Sequence, residues 1–348
     1  MGQPAEPPIP AGEPGSPAAA TVSGDEAAEG SGTALGRMPD FFLVGHEKCG
    51  TTALYRMLRA HPQIFMPDFK EPRFFSPDVR ARAPRAEGGF LPRTLEEYLA
   101  LFADAGPEQR VGEASPQYLR SPSAARSIAE LQPDARIIAI LREPASFLRS
   151  FHHQCVRSGL EDERDMRTAL ALEAERRQGR RLPPGTESPA WLLYNEHVRY
   201  IEQLQRYHAE FPDEQILVLI YEDYRRENIE TVRRILRFLQ VDDTVEIQPL
   251  ETQREELTGV RFMPLHRLSR TLRRARYRPA AAGPLARTVG ALTPKPLQQL
   301  GRRITYTEAP APDQELMGEL RRRLKPEVIA LSEYLGRDLV GLWGYDSL

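Results

Sequence analysis

The sequence predicts an α/β fold with three layers (α/β/α) around a central, mostly parallel sheet. Two observations carry this. Residues 41–45 (FFLVG), 136–141 (RIIAIL) and 216–221 (ILVLIY) are short, nearly continuous apolar runs rich in Ile, Leu and Val. That is the pattern of strands buried on both faces. Segments with helical spacing separate them, and such alternation builds a parallel sheet covered on both sides. A third observation is local: the first apolar run passes through two glycines, Gly45 and Gly50, straight into a helical segment.

From the N-terminus, residues 1–36 hold no Lys or Arg and are rich in Pro, Gly, Ala, Ser and Glu. Too few apolar residues are present to offset ordering entropy, so 1–37 reads as a disordered extension and 38–348 as one domain. The extension lacks the basic start and the apolar stretch of ~7–15 residues that a secretory signal needs. After strand 41–45 the spacing predicts a helix over 51–60, stopped by Pro62. Helices follow at 95–103 and at 123–131, the second started by Ser123, with a brief strand candidate at 110–114 between them. Strand 136–141 leads to a helix at 145–157. A highly charged stretch, 161–189, then ends in Pro and Gly and reads as an insertion, a helix followed by a mobile loop. A helix at 193–210 stopped by Pro212, the strand at 216–221 and a helix at 226–239 started by Asn228 complete the core. Residues 261–278 carry seven arginines and no acid. Leu265, Leu268 and Leu272 share one face there, so the segment reads as a helix with one apolar and one basic side. An anionic membrane surface or plain solvent could cover the basic side.

At 348 residues the chain can bury a sizeable core. A formal net charge of −2 gives no global pull toward nucleic acid. No apolar run approaches the ~20 residues needed to cross a bilayer. The two cysteines, Cys49 and Cys155, make no disulfide framework. The expectation is a soluble, cytoplasmic protein.

The glycine turn is the most informative local feature. Gly45 and Gly50 have the spacing of a phosphate-binding loop, G-x-x-x-x-G-K-[ST], but Thr51 stands in the lysine position and Lys48 lies inside the loop. A strand, a glycine turn and a helix aim several backbone N–H groups and the helix dipole at one point. Thr51 and Thr52 add hydroxyls there, and Lys48 adds a charge. Taken alone, the pattern is either a tight turn or a site for a polyanion held without an obligatory metal.

The residues that follow carry a resemblance. Residues 44–75 (VGHEKCGTTALYRMLRAHPQIFMPDFKEPRFF) closely resemble the 5′-phosphosulfate-binding region of sulfotransferases that use 3′-phosphoadenosine 5′-phosphosulfate (PAPS), the carbohydrate and bacterial branches above all. Residues 137–153 (IIAILREPASFLRSFHH) look like that family's 3′-phosphate-binding strand, loop and helix. GEASPQYL at 112–119 and FPDEQILVLIYEDY at 211–224 agree, so the resemblance covers roughly 40–240. It implies a P-loop-NTPase-like sulfotransferase fold and PAPS as donor, with no metal required. It also implies transfer of a sulfuryl group to a hydroxyl or amine of a small-molecule, natural-product or glycan acceptor.

Residue by residue, the resemblance assigns Lys48 to the leaving oxygen of the donor. Lys48, Cys49, Gly50, Thr51, Thr52 and Ala53 would hold the 5′-phosphosulfate, and Arg142 with Ser150 the 3′-phosphate. Glu71, extended by Pro72, matches the catalytic base of the carbohydrate branch. Lys70 and Arg73 beside it suit a sulfate oxygen or an anionic acceptor. Arg261 is the candidate from the basic segment, 258–310, that folds over the nucleotide in relatives. His152 and His153 are set aside as structural. Two departures stand out: His46-Glu47 replaces smaller residues, so that Glu47 must turn away or pair with Lys48, and the chain past 250 matches loosely. The alternatives are a P-loop kinase using ATP–magnesium, supported by the acids of LVLIYED at 217–223, and a nucleotide-binding module without catalysis. Trp191 and Tyr194 suit either acceptor recognition or the core. The Ala, Arg and Pro bias points to a high-GC bacterium and natural-product tailoring.

Overall fold

The computed structural model describes residues 36–80, 91–184, 186, 189–250, 258–260, 306–308 and 311–348. Five strands, β1 (Phe41–Gly45), β2 (Ile64–Phe65), β3 (Arg110–Ala114), β4 (Arg136–Leu141) and β5 (Ile216–Ile220), form one sheet in the order β2-β3-β1-β4-β5. Every pair in it is parallel. Phe41 to Val44 are fully buried, as are Ile138, Ile140 and Leu141 of the neighbouring strand, which is why these runs show no polar alternation.

The helices are α1 (Thr51–Arg59), α2 (Pro77–Arg80), α3 (Leu95–Leu99), α4 (Ala124–Leu131), α5 (Pro144–Ser158), α6 (Met166–Ala171), α7 (Glu173–Arg177), α8 (Tyr200–His208), α9 (Tyr221–Arg226), α10 (Asn228–Leu239), α11 (Gln314–Leu335) and α12 (Leu339–Leu342). Helix α1 packs on α10, whereas α11 packs on α5 and α8, and α8 on α4. Central strand β1 lies between β3 and β4. The chain therefore runs from β1 to the edge at β2, returns inward through β3, then crosses to the other side to build β4 and β5. The loops after β1 and β4 diverge at this switch point, where open α/β sheets place their ligands.

The expected strands form, and the helices differ in detail. The 95–103 segment is α3 followed by a 3-10 turn, Ala100–Phe102, started by a capping box between Thr94 and Glu97. The continuous helix expected at 193–210 is broken: a 3-10 turn, Tyr194–Val198, precedes α8, because Arg199 leaves the helical region at ψ 63°. In the charged stretch 161–189, α6 and α7 form two short helices. They are tied down by Arg176, whose guanidinium grips Glu161 at 2.7 and 2.8 Å with both side chains fully buried. Helix α11 was not anticipated; Leu316, Leu320, Leu324, Val328 and Leu331 form its buried stripe around an internal Pro326. Strands β6 (Thr258–Val260) and β7 (Tyr306–Glu308) pair antiparallel, with β6 beside α5. The expected helix 261–278, Arg261, most of the 258–310 segment and residues 1–35 lie outside the described residues. Among the described residues no helix is long and apolar enough to cross a membrane.

Candidate active site

The loop after β1 is shaped by close approach and by left-handed backbone. A Cβ on Gly45 would lie 2.5 Å from the Leu119 Cβ and 3.1 Å from the Pro116 carbonyl oxygen, so glycine lets the strand end pass under residues 116–119. Lys48 (φ 62°) and Gly50 (φ 83°) then turn the chain into α1. A left-handed lysine is uncommon and marks a constrained loop. Gly50 is the N-cap of α1, no side chain caps the helix, and its first turn holds no acid. The dipole of that turn and its Thr51 and Thr52 amides thus suit an anion, while the Ala53 amide donates to the Gly50 carbonyl at 3.0 Å. Thr51 is buried, Thr52 exposed and Ala53 half-buried. Cys49 is buried, its thiol donating to the Glu47 carbonyl at 3.4 Å, and burial pushes that thiol far up. Cys49 therefore offers the loop its backbone and not its sulfur.

Of the two outcomes open for Glu47, turning away is what occurs. Its carboxylate lies 2.8 Å from His46 Nδ1 and 3.8 Å from Arg120 Nε. Burial alone would raise its carboxyl, but the close His46 ring and the Arg120 guanidinium hold it below the ordinary value. His197 completes a buried group, since ligand atoms of His46, Glu47 and His197 lie within 4.8 Å of one another. Two imidazoles and a carboxylate can bind a divalent cation. Here, however, Arg120 already faces the one carboxylate, and a dication would leave a large uncompensated buried charge. The group is better read as an ion-pair network.

Arg142 stands at the end of β4. Its Nη1 donates to the Lys48 carbonyl at 3.1 Å, and its guanidinium lies 4.8 Å from the Tyr221 ring centroid. Among the described residues Arg142 Nε is buried without a hydrogen-bond partner, as expected of a guanidinium whose ligand is an anion. Glu143 does not pair with it, because the Glu143 carboxylate accepts from the Ala145 and Ser146 amides at 3.1 and 2.6 Å and caps α5. Ser150 is buried on α5. Arg149, the residue before it, is held below its usual value by burial and then by the Arg142 charge. Arg149 was not among the residues expected from the sequence, although its position beside Ser150 was a signal. One turn further, burial and the charges of His152, Arg149 and Lys48 push His153 down to about 4. Burial likewise lowers His152, whose Nε2 bonds the Glu163 carbonyl at 3.0 Å.

Glu71 is held in place by backbone and by charge. Its amide donates to the Ala114 carbonyl at 3.2 Å, tying it to the end of β3, and its φ of 64° is left-handed, not the extended backbone expected from Pro72. The carboxylate receives Lys70 Nζ at 2.7 Å, Arg73 Nη2 at 2.7 Å and Gln117 Nε2 at 2.9 Å. Burial would raise its carboxyl, but Lys70 and Arg73 together hold it well below the usual carboxylate range. The Trp191 ring lies between two guanidiniums, with Arg120 at 4.3 Å and Arg73 at 5.8 Å from its centroid. Contacts thus run from Glu47 through Arg120, Trp191 and Arg73 to Glu71, joining the glycine loop to the 70–73 strap. Tyr194 belongs to the core, fully buried and donating to Glu161 Oε2 at 2.8 Å. The acids after β5 are engaged within the protein. Glu222 Oε2 accepts from Trp343 Nε1 at 2.9 Å, and Asp223 pairs with Arg226 and Arg337.

Comparison with known proteins agrees with this geometry. A family model described as the sulfotransferase family matches residues 39–245. The chain is 30% identical over 149 residues to human carbohydrate sulfotransferase 15, covering 32% of this chain and 26% of that protein. It is 31% identical over 116 residues to mouse heparan sulfate glucosamine 3-O-sulfotransferase 6, covering 33% of this chain and 30% of that protein. The alignments thus span only about a quarter to a third of these curated relatives. A crystal structure of a sulfotransferase from Alicyclobacillus acidocaldarius is 27% identical with a TM-score of 0.62, covering 88% of this chain and 99% of that one. With the family match over more than half its length, the chain belongs to the sulfotransferase family.

Proposed function

We propose that the protein transfers a sulfuryl group from PAPS to a hydroxyl or amine of a glycan or small-molecule acceptor. The observation that carries this is the contact between Arg142 and the Lys48 carbonyl. It joins the end of β4 to the lysine loop, so a 3′-phosphate and a 5′-phosphosulfate could be held by one connected site. The uncapped first turn of α1 and the Arg142 Nε, which has no partner among the described residues, fit such a polyanion.

When bound, the donor supplies an SO₃ group joined through oxygen to the 5′-phosphate. In-line transfer breaks that S–O bond and forms a new one from sulfur to the acceptor atom. Lys48 neutralises charge developing on the phosphate oxygen, as preorganised donors do in related transfers. Glu71 takes the acceptor proton. With Lys70 and Arg73 both on its carboxylate it is ionised but weakly basic, and a base gains power as its pKa approaches the working pH. An acceptor that draws Lys70 or Arg73 onto its own anionic group would therefore strengthen Glu71 on binding. Glycans bearing carboxylate or sulfate groups fit this feature.

The test is sulfate transfer from labelled PAPS to a panel of acidic and neutral glycans and small phenols, read by mass spectrometry. Transfer by the wild type and its loss in Lys48→Ala support the proposal. If ATP with magnesium phosphorylated an acceptor and PAPS gave no product, a kinase would replace it.

A further inference from the structure

The last residues of the chain pack against the peptide that follows Arg142, far from them in sequence. Tyr345 is fully buried, and its hydroxyl donates to Glu143 Oε1 at 2.5 Å. Arg321, on α11, approaches the same oxygen at 3.6 Å. Trp343, also buried, donates its indole N–H to Glu222 Oε2 at 2.9 Å, while Glu222 Oε1 lies 3.4 Å from the Glu143 amide nitrogen. From the other side the Tyr200 hydroxyl donates to the Arg142 carbonyl at 3.0 Å. The single peptide 142–143 is thus held at its carbonyl, its amide and the next side chain by groups from α8, α9 and the C-terminal tail.

We infer that Trp343 and Tyr345 are positioning residues of the nucleotide site. They set the Arg142 backbone, and through Glu143 the first turn of α5, so that Arg142 and Ser150 meet the 3′-phosphate. This rests on the PAPS reading. The N-terminus of α5 is already occupied by the Glu143 carboxylate, so a phosphate there depends on these side chains rather than on free helix amides. A hydroxyl bonded to a carboxylate at 2.5 Å is a charge-assisted bond, stronger than a neutral one. Its loss frees Glu143 to shift and carries Arg142 with it.

The experiment is calorimetric binding of adenosine 3′,5′-bisphosphate and of 5′-AMP to the full chain and to Tyr345→Phe, Trp343→Phe and the double variant. Tyr345→Phe removes only a hydroxyl and keeps the packed ring. The inference predicts that the double variant binds the bisphosphate roughly tenfold more weakly, a loss matching one charged hydrogen bond, while 5′-AMP binding changes less than about twofold. Parallel losses for both nucleotides would mean a structural role only and overturn the inference, as would unchanged bisphosphate binding. A wild type that binds the bisphosphate no better than 5′-AMP would instead overturn the donor reading beneath it.

Discussion

The guanidinium of Arg142 donates to the backbone carbonyl of Lys48 at 3.1 Å, so the residue ending β4 braces the loop that ends β1. Arg142→Ala should weaken bisphosphate binding by about tenfold to a hundredfold, the range for losing a charged bidentate contact. Arg142→Lys should recover little, because an ammonium cannot reach the phosphate and the carbonyl as a fork. Calorimetry with the bisphosphate checks both.

Lys48→Ala should lower the rate constant for transfer by about 10²–10³, the size of one preorganised electrostatic donor. Single-turnover measurement at saturating donor separates this from weakened binding.

Glu71→Gln should nearly abolish turnover and leave bisphosphate binding unchanged. Glu71 has a folded value well below its ordinary 4.5. Its ionised form, with the stabilisation it brings, is therefore fully present above 4.5 and lost only as pH falls through the lower folded value. Glu71 should thus put no acid limb on kcat/KM near pH 4.5. In Arg73→Ala a limb should appear at higher pH, since one of the two cations that lower the carboxyl is gone. A pH–rate profile of the two proteins decides it.

Glu113 is buried between Tyr98 and Tyr118, whose hydroxyls donate to its Oε2 at 3.2 and 2.7 Å. Burial, opposed by those hydrogen bonds, raises its carboxyl to about 7. The folded protein therefore holds a proton that the unfolded chain releases near 4.5, and stability falls as pH rises from about 4.5 to 7. The loss is on the order of 3 kcal/mol. Glu113→Gln should flatten that slope in denaturant titrations, melting later than the wild type at pH 8.

Arg176→Ala should destabilise the domain by about 3–5 kcal/mol, the cost of leaving the buried Glu161 carboxylate without its partner. Urea unfolding reads this directly.

The sheet and the glycine loop were legible because their signals are local. Unbroken apolar runs such as FFLV and IIAIL dictate buried strands, and Gly45 to Thr52 carry their pattern in eight residues. Strand β2 was not legible, since Ile64 and Phe65 are two residues with no period to detect. Helix α11 was hidden by Pro326 and by a weakly patterned basic stretch, although its stripe from Leu316 to Leu331 is regular once its start at Asp313 is known. Long-range partners were beyond sequence reasoning altogether. Nothing in the order of residues 47, 120 and 191 announces that Glu47, Arg120 and Trp191 touch, or that Tyr345 reaches Glu143 across 202 positions. The charge on 161–189 suggested an insertion with a helix and a mobile loop, because pairing of Arg176 with Glu161 depends on a fold the sequence pattern does not show.

The most direct test of the central claim is calorimetric titration of the wild-type chain with adenosine 3′,5′-bisphosphate in EDTA, beside ADP with magnesium. A Lys48–Arg142 site for a 3′-phosphorylated donor predicts tight bisphosphate binding that EDTA does not change, with ADP at least roughly tenfold weaker. Binding of ADP that matches or exceeds the bisphosphate, and that vanishes with EDTA, would contradict it.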